Sequence, residues 1–150
     1  MTRILQLLSI VLGLSLSDPD TASSQTIKGG GVPPSPAAVA IGRSNFDGNC
    51  AACCTACHPI TSGQNAYGPG LFSVVGRRSG TAPGYLYSPS YVEAGAKGVT
   101  WSGSNLSRFL ADPTAFLTQK VGHPAVTRMI GGFPDEKLRR SIIGYLKTLK

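Results

Sequence analysis

The chain has 150 residues, four cysteines, 41% hydrophobic residues and a formal net charge of +7, which is material for one modest domain. That charge admits an acidic protein, an anionic membrane surface or nucleic acid as partner, and an N-terminal export pattern makes nucleic acid the least fitting. Beyond that N-terminal pattern no stretch is apolar and long enough to span a bilayer, so a soluble protein outside the cytoplasm, with no stable membrane insertion, is expected.

Arg3 is the positive start of the export pattern, and Ile4 to Leu16 form an apolar run broken by Gln6, Ser9 and Gly13. Thirteen residues fall short of the roughly 20 that cross a membrane. Cleavage is expected between Ser17 and Gln25, with Ala22-Ser23-Ser24 nearest to a small-x-small site, so residues 1–24 read as a signal peptide. The competing reading of this stretch is an uncleaved anchor. Residues 25–36 (QTIKGGGVPPSP) mix glycine and proline without apolar periodicity and read as linker. The folded domain is therefore 37–150, small enough to gain from a cofactor to pack around. Between Ala37 and Ala51, Gly42 and Phe46 stand four apart on a workable first helix.

All four cysteines lie in Cys50-Ala51-Ala52-Cys53-Cys54-Thr55-Ala56-Cys57-His58. A disulfide framework would spread its cysteines to close loops, and these close none of useful length. Zinc sites draw ligand pairs from separated arms, and the spacing matches no iron–sulfur run. Cys54-x-x-Cys57-His58 instead matches the attachment signature of c-type haem. Residues three apart on a helix share a face, so both thiols can bond haem vinyl groups while His58 reaches the iron from the same side. Cys50 and Cys53 form a second Cys-x-x-Cys without a histidine. A local disulfide, free thiols, and competition for a vinyl group during maturation are all open to them.

The glycines and prolines of residues 62–90 argue for loops wrapped on a cofactor. Ser104 to Leu110 reads as a short helix, capped by Ser102 or Ser104 and stopped before Pro113. Two residues then compete as second iron ligand: His123, in a loop flanked by Gly122 and Pro124, and Met129. Taken bare, a lone methionine is more often core filler. Asp135-Glu136 after Pro134 open a last helix, with Leu138, Ile142, Tyr145, Leu146 and Leu149 at helical spacing. No alternating strand pattern appears, so an all-α fold is expected.

From Gly42 onward an ordered series of motifs follows: Tyr67-Gly68-Pro69-Gly70-Leu71-Phe72, Val75-Gly76-Arg77-Arg78-Ser79-Gly80, Ala82-Pro83-Gly84-Tyr85, Val99-Thr100-Trp101, Asn105-Leu106 with Phe109-Leu110, Asp112-Pro113, Thr127-Arg128-Met129-Ile130 and Ile142-Ile143-Gly144-Tyr145-Leu146-Lys147. The series resembles the class I cytochromes c, the small soluble carriers of mitochondria and the bacterial periplasm. The resemblance implies crossing N- and C-terminal helices, with Gly42 opposite Ile142 and Phe46 against Tyr145, and loops around one covalent haem c.

It further implies Met129 and His58 as axial ligands of the iron, and Pro69 as the carbonyl that accepts from the His58 ring. Arg77, Tyr87 and Trp101 match the residues around the haem propionates. Phe109 falls where the family often has a tyrosine beside the axial methionine, which removes a hydroxyl near the sulfur. The family spacing from the first-helix phenylalanine lands on Cys50, whereas Cys54 is eight residues from Phe46. An insertion of about one turn reconciles this with the distance from His58 to Pro69, and is expected to move Phe46 away from the haem.

The function implied is one-electron transfer without enzymatic activity, by a monomer docking on acidic redox partners. A quinol-oxidising complex or periplasmic dehydrogenase would donate and a terminal oxidase accept. Arg77, Arg78, Lys97, Lys120, Arg128, Lys137 and Lys147 are the candidate steering charges. The alternative is a haem enzyme or gas-binding protein, if the methionine position were open or labile.

Overall fold

Residue Pro36, at the first helical position, opens α1 (Pro36–Asp47), and the Ser35 side chain caps it by accepting from the Ala38 amide. The computed structural model describes residues 34–48, 54–129 and 131–150. The expected signal segment, most of the expected linker, and Cys50 and Cys53 thus lie outside the described residues.

Helix α1 buries Gly42 and Phe46 against α6 (Glu136–Leu146), whose N-cap Asp135 accepts from the amides of Lys137 and Leu138. Gly42 permits the crossing because a Cβ there would lie 2.2 Å from the Ser141 carbonyl oxygen and 2.9 Å from Tyr145 Cβ. The nearest neighbours are therefore Ser141 and Tyr145, where Ile142 was expected. The Phe46 and Tyr145 rings sit 5.4 Å apart, as expected. Asn45 Nδ2 donates to Ser141 Oγ at 2.8 Å and closes the polar edge of the crossing.

A single turn, α2 (Cys54–Cys57), runs into His58, whose amide donates to the Cys54 carbonyl. Loops follow up to α3 (Pro89–Ala96), entered through Ser88-Pro89; the expected loop region therefore ends in a helix the sequence reading did not include. Next come α4 (Gly103–Ala111), capped by Ser102, and α5 (Pro113–Val121), capped by Asp112. Pro113, read as a stop, both ends α4 and starts α5. Among the described residues there is no strand, only an antiparallel bridge between Arg78 and Thr100.

The core joins α1 and α6 to α4 and α5 through Leu106, Leu110, Leu117, Ile142 and Leu146, all buried. Trp101, also buried, packs on Phe109 and Phe116 with ring centroids 4.9 and 6.1 Å away, and Phe109 meets Phe116 edge-on. This aromatic layer forms the floor on which the site rests.

Candidate haem site

A cavity of about 280 Å³ opens between α2, the 59–88 loops and the helical core. Cys54, Cys57, His58 and Pro69 line one side of it. Arg77, Tyr87, Trp101 and Met129 line the rest, so all eight residues singled out from sequence share one wall-to-wall space. Phe46 lines it too and is fully buried, although eight residues separate it from Cys54. Phe46 thus keeps a place on the cavity wall.

The His58 ring is fixed from two directions. Its Nδ1 lies 2.9 Å from the Pro69 carbonyl, and because a carbonyl only accepts, Nδ1 carries the proton and Nε2 keeps its lone pair. Gly68 lies against the ring, where a Cβ would come within 2.3 Å of Cε1 and 2.5 Å of Nδ1. Burial holds the His58 pKa below its ordinary value, and the bond to Pro69 only partly opposes this. The imidazole is thus neutral near pH 7, as a ligand must be.

Arg77 donates through Nη2 to the Gly70 carbonyl at 2.7 Å and through Nη1 to the Phe72 carbonyl at 3.4 Å. Its Nε is buried and finds no acceptor among the described residues. Burial lowers the guanidinium pKa while the nearby Tyr87 phenol opposes the shift; burial raises Tyr87 in turn. A half-buried cation with a spare N–H, beside a phenol on the wall of an apolar cavity, is a fitting seat for a carboxylate. The group implied by Cys54-x-x-Cys57-His58 carries such carboxylates on its propionates. The residues present therefore fit a haem: two thiols on one turn, a neutral imidazole, a thioether and an anion seat. Among the described residues no three His, Cys, Asp or Glu cluster as a bare metal ion would require.

His123 faces away from this chemistry, exposed and paired with Glu93 at 2.8 Å. It is a loop histidine held by a salt bridge. Sequence reasoning quoted Gly68 and Thr127 only as parts of motifs and passed over Tyr91 altogether. Tyr91 lines the cavity and its hydroxyl meets Thr127 Oγ1 at 2.5 Å, while Thr127 Oγ1 also accepts from the Met129 amide at 3.1 Å.

No family model matches the chain. It is 39% identical over 104 residues to a cytochrome c2 of Rhodopseudomonas palustris, an alignment covering 65% of this chain and 90% of that one. It is 42% identical over 106 residues to a cytochrome c-550 of Novispirillum itersonii, covering 68% and 94%. Among solved structures, the cytochrome c2 of Rhodospirillum centenum superposes with a TM-score of 0.67 at 35% identity, over 74% of this chain and 97% of that one. The cytochrome cH of Methylobacterium extorquens superposes with a TM-score of 0.57, also at 35% identity.

Proposed function

Since the chain belongs to the class I c-type cytochromes, with their all-α fold and one covalent haem c, we propose that it is a soluble one-electron carrier whose haem is held as follows. Cys54 and Cys57 would bear the thioethers, and His58 and Met129 would ligate the iron. The observation that carries this reading is the shared cavity, lined by Cys54, Cys57, His58, Met129 and Arg77 together.

When bound, haem supplies an iron that cycles between ferric and ferrous states. The chain's own residues set the terms of that cycle. Pro69 fixes the proton of His58 at Nδ1 and so makes Nε2 the donor atom. Met129 contributes a soft sulfur, which favours the ferrous state and raises the potential relative to a second imidazole. Arg77 and Tyr87 accept the cost of holding propionate charge at a half-buried position. The wall contributed by Leu106, Phe109 and Leu110 excludes water and so lowers the reorganisation that accompanies electron transfer.

Residues 1–24 are proposed as an export signal and 25–36 as a linker to the domain, placing the carrier in the periplasm or outside the cell. No helix among the described residues is long and apolar enough to cross a membrane. Leu86, 91% exposed, and Arg128 stand at the cavity mouth and supply an apolar and a basic contact. Acidic redox partners, a quinol-oxidising complex or dehydrogenase as donor and a terminal oxidase as acceptor, fit that surface.

The test is an oxidised optical spectrum. A weak far-red charge-transfer band from methionine sulfur is expected. A high-spin spectrum that shifts on adding cyanide or carbon monoxide would instead favour a haem enzyme or gas-binding protein. Mass spectrometry of the haem-bearing peptide is expected to find thioethers on Cys54 and Cys57, and finding them on Cys50 or Cys53 reverses the assignment.

A further inference from the structure

The segment after α5 that carries Met129 is tied back to α5 where the Ala125 amide donates to Thr118 Oγ1 at 3.1 Å, and its other polar contacts outside itself reach the region of α3. Ser88 Oγ donates to the Val126 carbonyl at 2.8 Å, and the Val126 amide donates to Ser90 Oγ at 3.0 Å. One residue further on, Thr127 Oγ1 takes the Met129 amide and meets the Tyr91 hydroxyl. Tyr91 is the last link, and like Ser88 it lines the cavity, its ring 6.0 Å from Phe109 and 6.5 Å from Trp101.

A methionine side chain has three rotatable bonds and little intrinsic preference for one geometry. The position of its sulfur therefore depends on how firmly its backbone is held. Phe109 offers no hydroxyl to that end of the cavity. A tyrosine oxygen placed among aromatic rings is costly unless it is bonded, so the contact with Thr127 stabilises both partners in one arrangement. Burial raises the Tyr91 phenol pKa, with Thr127 opposing, so the hydroxyl keeps its proton across the neutral range.

We infer that Tyr91 is the positioning residue for the axial methionine: acting through Thr127 Oγ1 on the Met129 amide, it anchors the ligand arm to α3 and supplies the polar hold that Phe109 lacks. The inference rests on Met129 being an iron ligand. Without the anchor the arm swings more freely, and an external ligand displaces the sulfur more easily. No step in this requires a reactant beyond the haem-loaded protein.

The experiment is an imidazole titration of the oxidised, haem-loaded protein, followed by loss of the methionine-sulfur band. Tyr91→Phe is expected to raise imidazole affinity by roughly three- to tenfold, the range set by losing one neutral hydrogen bond. Thr127→Val, which also frees the Met129 amide, should raise it at least as much, and Thr127→Ser, which keeps the oxygen, should behave as the unchanged protein. Combining Tyr91→Phe with Thr127→Val should add nothing beyond Thr127→Val alone, because one chain of bonds has already been cut. Wild-type affinity in Tyr91→Phe, or additive effects in the double variant, would overturn the inference while leaving Met129 ligation intact. A methionine-sulfur band missing already from the unchanged protein would remove Met129 ligation, and the inference with it.

Discussion

Gly68 shows how much of the site is set by an atom that is not there. A methyl group at this position would lie within 2.9 Å of three atoms of the His58 ring. The ring would have to tilt, and the bond from Nδ1 to the Pro69 carbonyl would stretch or break. Gly68→Ala is therefore expected to cost about 1–3 kcal/mol, the usual penalty for overpacking. It should also weaken the bond from His58 to the iron, seen as loss of the low-spin spectrum at a higher pH on acidification. An unchanged acid midpoint would show that the ring has room to move. His58 stood out in the sequence by its place directly after Cys54-x-x-Cys57, whereas Pro69 and Met129 stood out only through the family resemblance. Gly68 and Tyr91 did not stand out, because one acts by lacking a side chain and the other through an intermediate threonine.

At the level of elements, α4 and α6 were legible from Ser102 and from Asp135-Glu136 ahead of apolar residues at helical spacing. Helices α3 and α5 were not, because Pro89 and Pro113 punctuate the sequence and were read as breaks. Proline without an N–H is equally suited to a first turn, and Ser88 and Asp112 stand where N-caps belong. Missing α3 also hid the ion cluster in which Glu93 holds Lys97 at 3.0 Å and His123 at 2.8 Å. The hydrogen bond to Glu93 raises the His123 pKa, and the bonds to Lys97 and then His123 lower that of Glu93. For a raised histidine, the stabilisation is complete below the ordinary value of about 6.5 and is lost as pH rises through the raised one. For a lowered carboxylate it is complete above the ordinary carboxylate range and is lost as pH falls through the lowered value. The clasp between α3 and the loop after α5 is thus tightest in mildly acidic solution and weakens toward alkaline pH. An NMR titration of the His123 ring should give a midpoint raised above that of an ordinary histidine, and Glu93→Gln should lower it. A midpoint unmoved by Glu93→Gln would mean that the pair is screened out in solution.

For the whole molecule, the cavity and the core are one apolar surface. Phe46, Leu106, Phe109, Leu110, Ile142 and Leu146 belong to the buried core and also line the cavity. These residues come from α1, α4 and α6, so the same contacts that hold the helices together are completed by whatever fills the space between them. A cavity of about 280 Å³ lined by core side chains leaves those side chains without packing partners until it is filled, and lost core packing is destabilising. Haem in this chain is therefore as much a folding partner as a redox centre, and the small size of the domain leaves little else to compensate. Replacing both proposed attachment residues, Cys54→Ser with Cys57→Ser, is expected to give a chain without bound haem that keeps part of its far-ultraviolet helix signal. It should lose the near-ultraviolet signal of Trp101 and its aromatic neighbours, and should melt without a cooperative transition. Circular dichroism of the variant against the haem-loaded protein measures both. A haem-free variant that still melts cooperatively, within a few degrees of the loaded protein, would mean that α1, α4 and α6 close over the cavity by themselves.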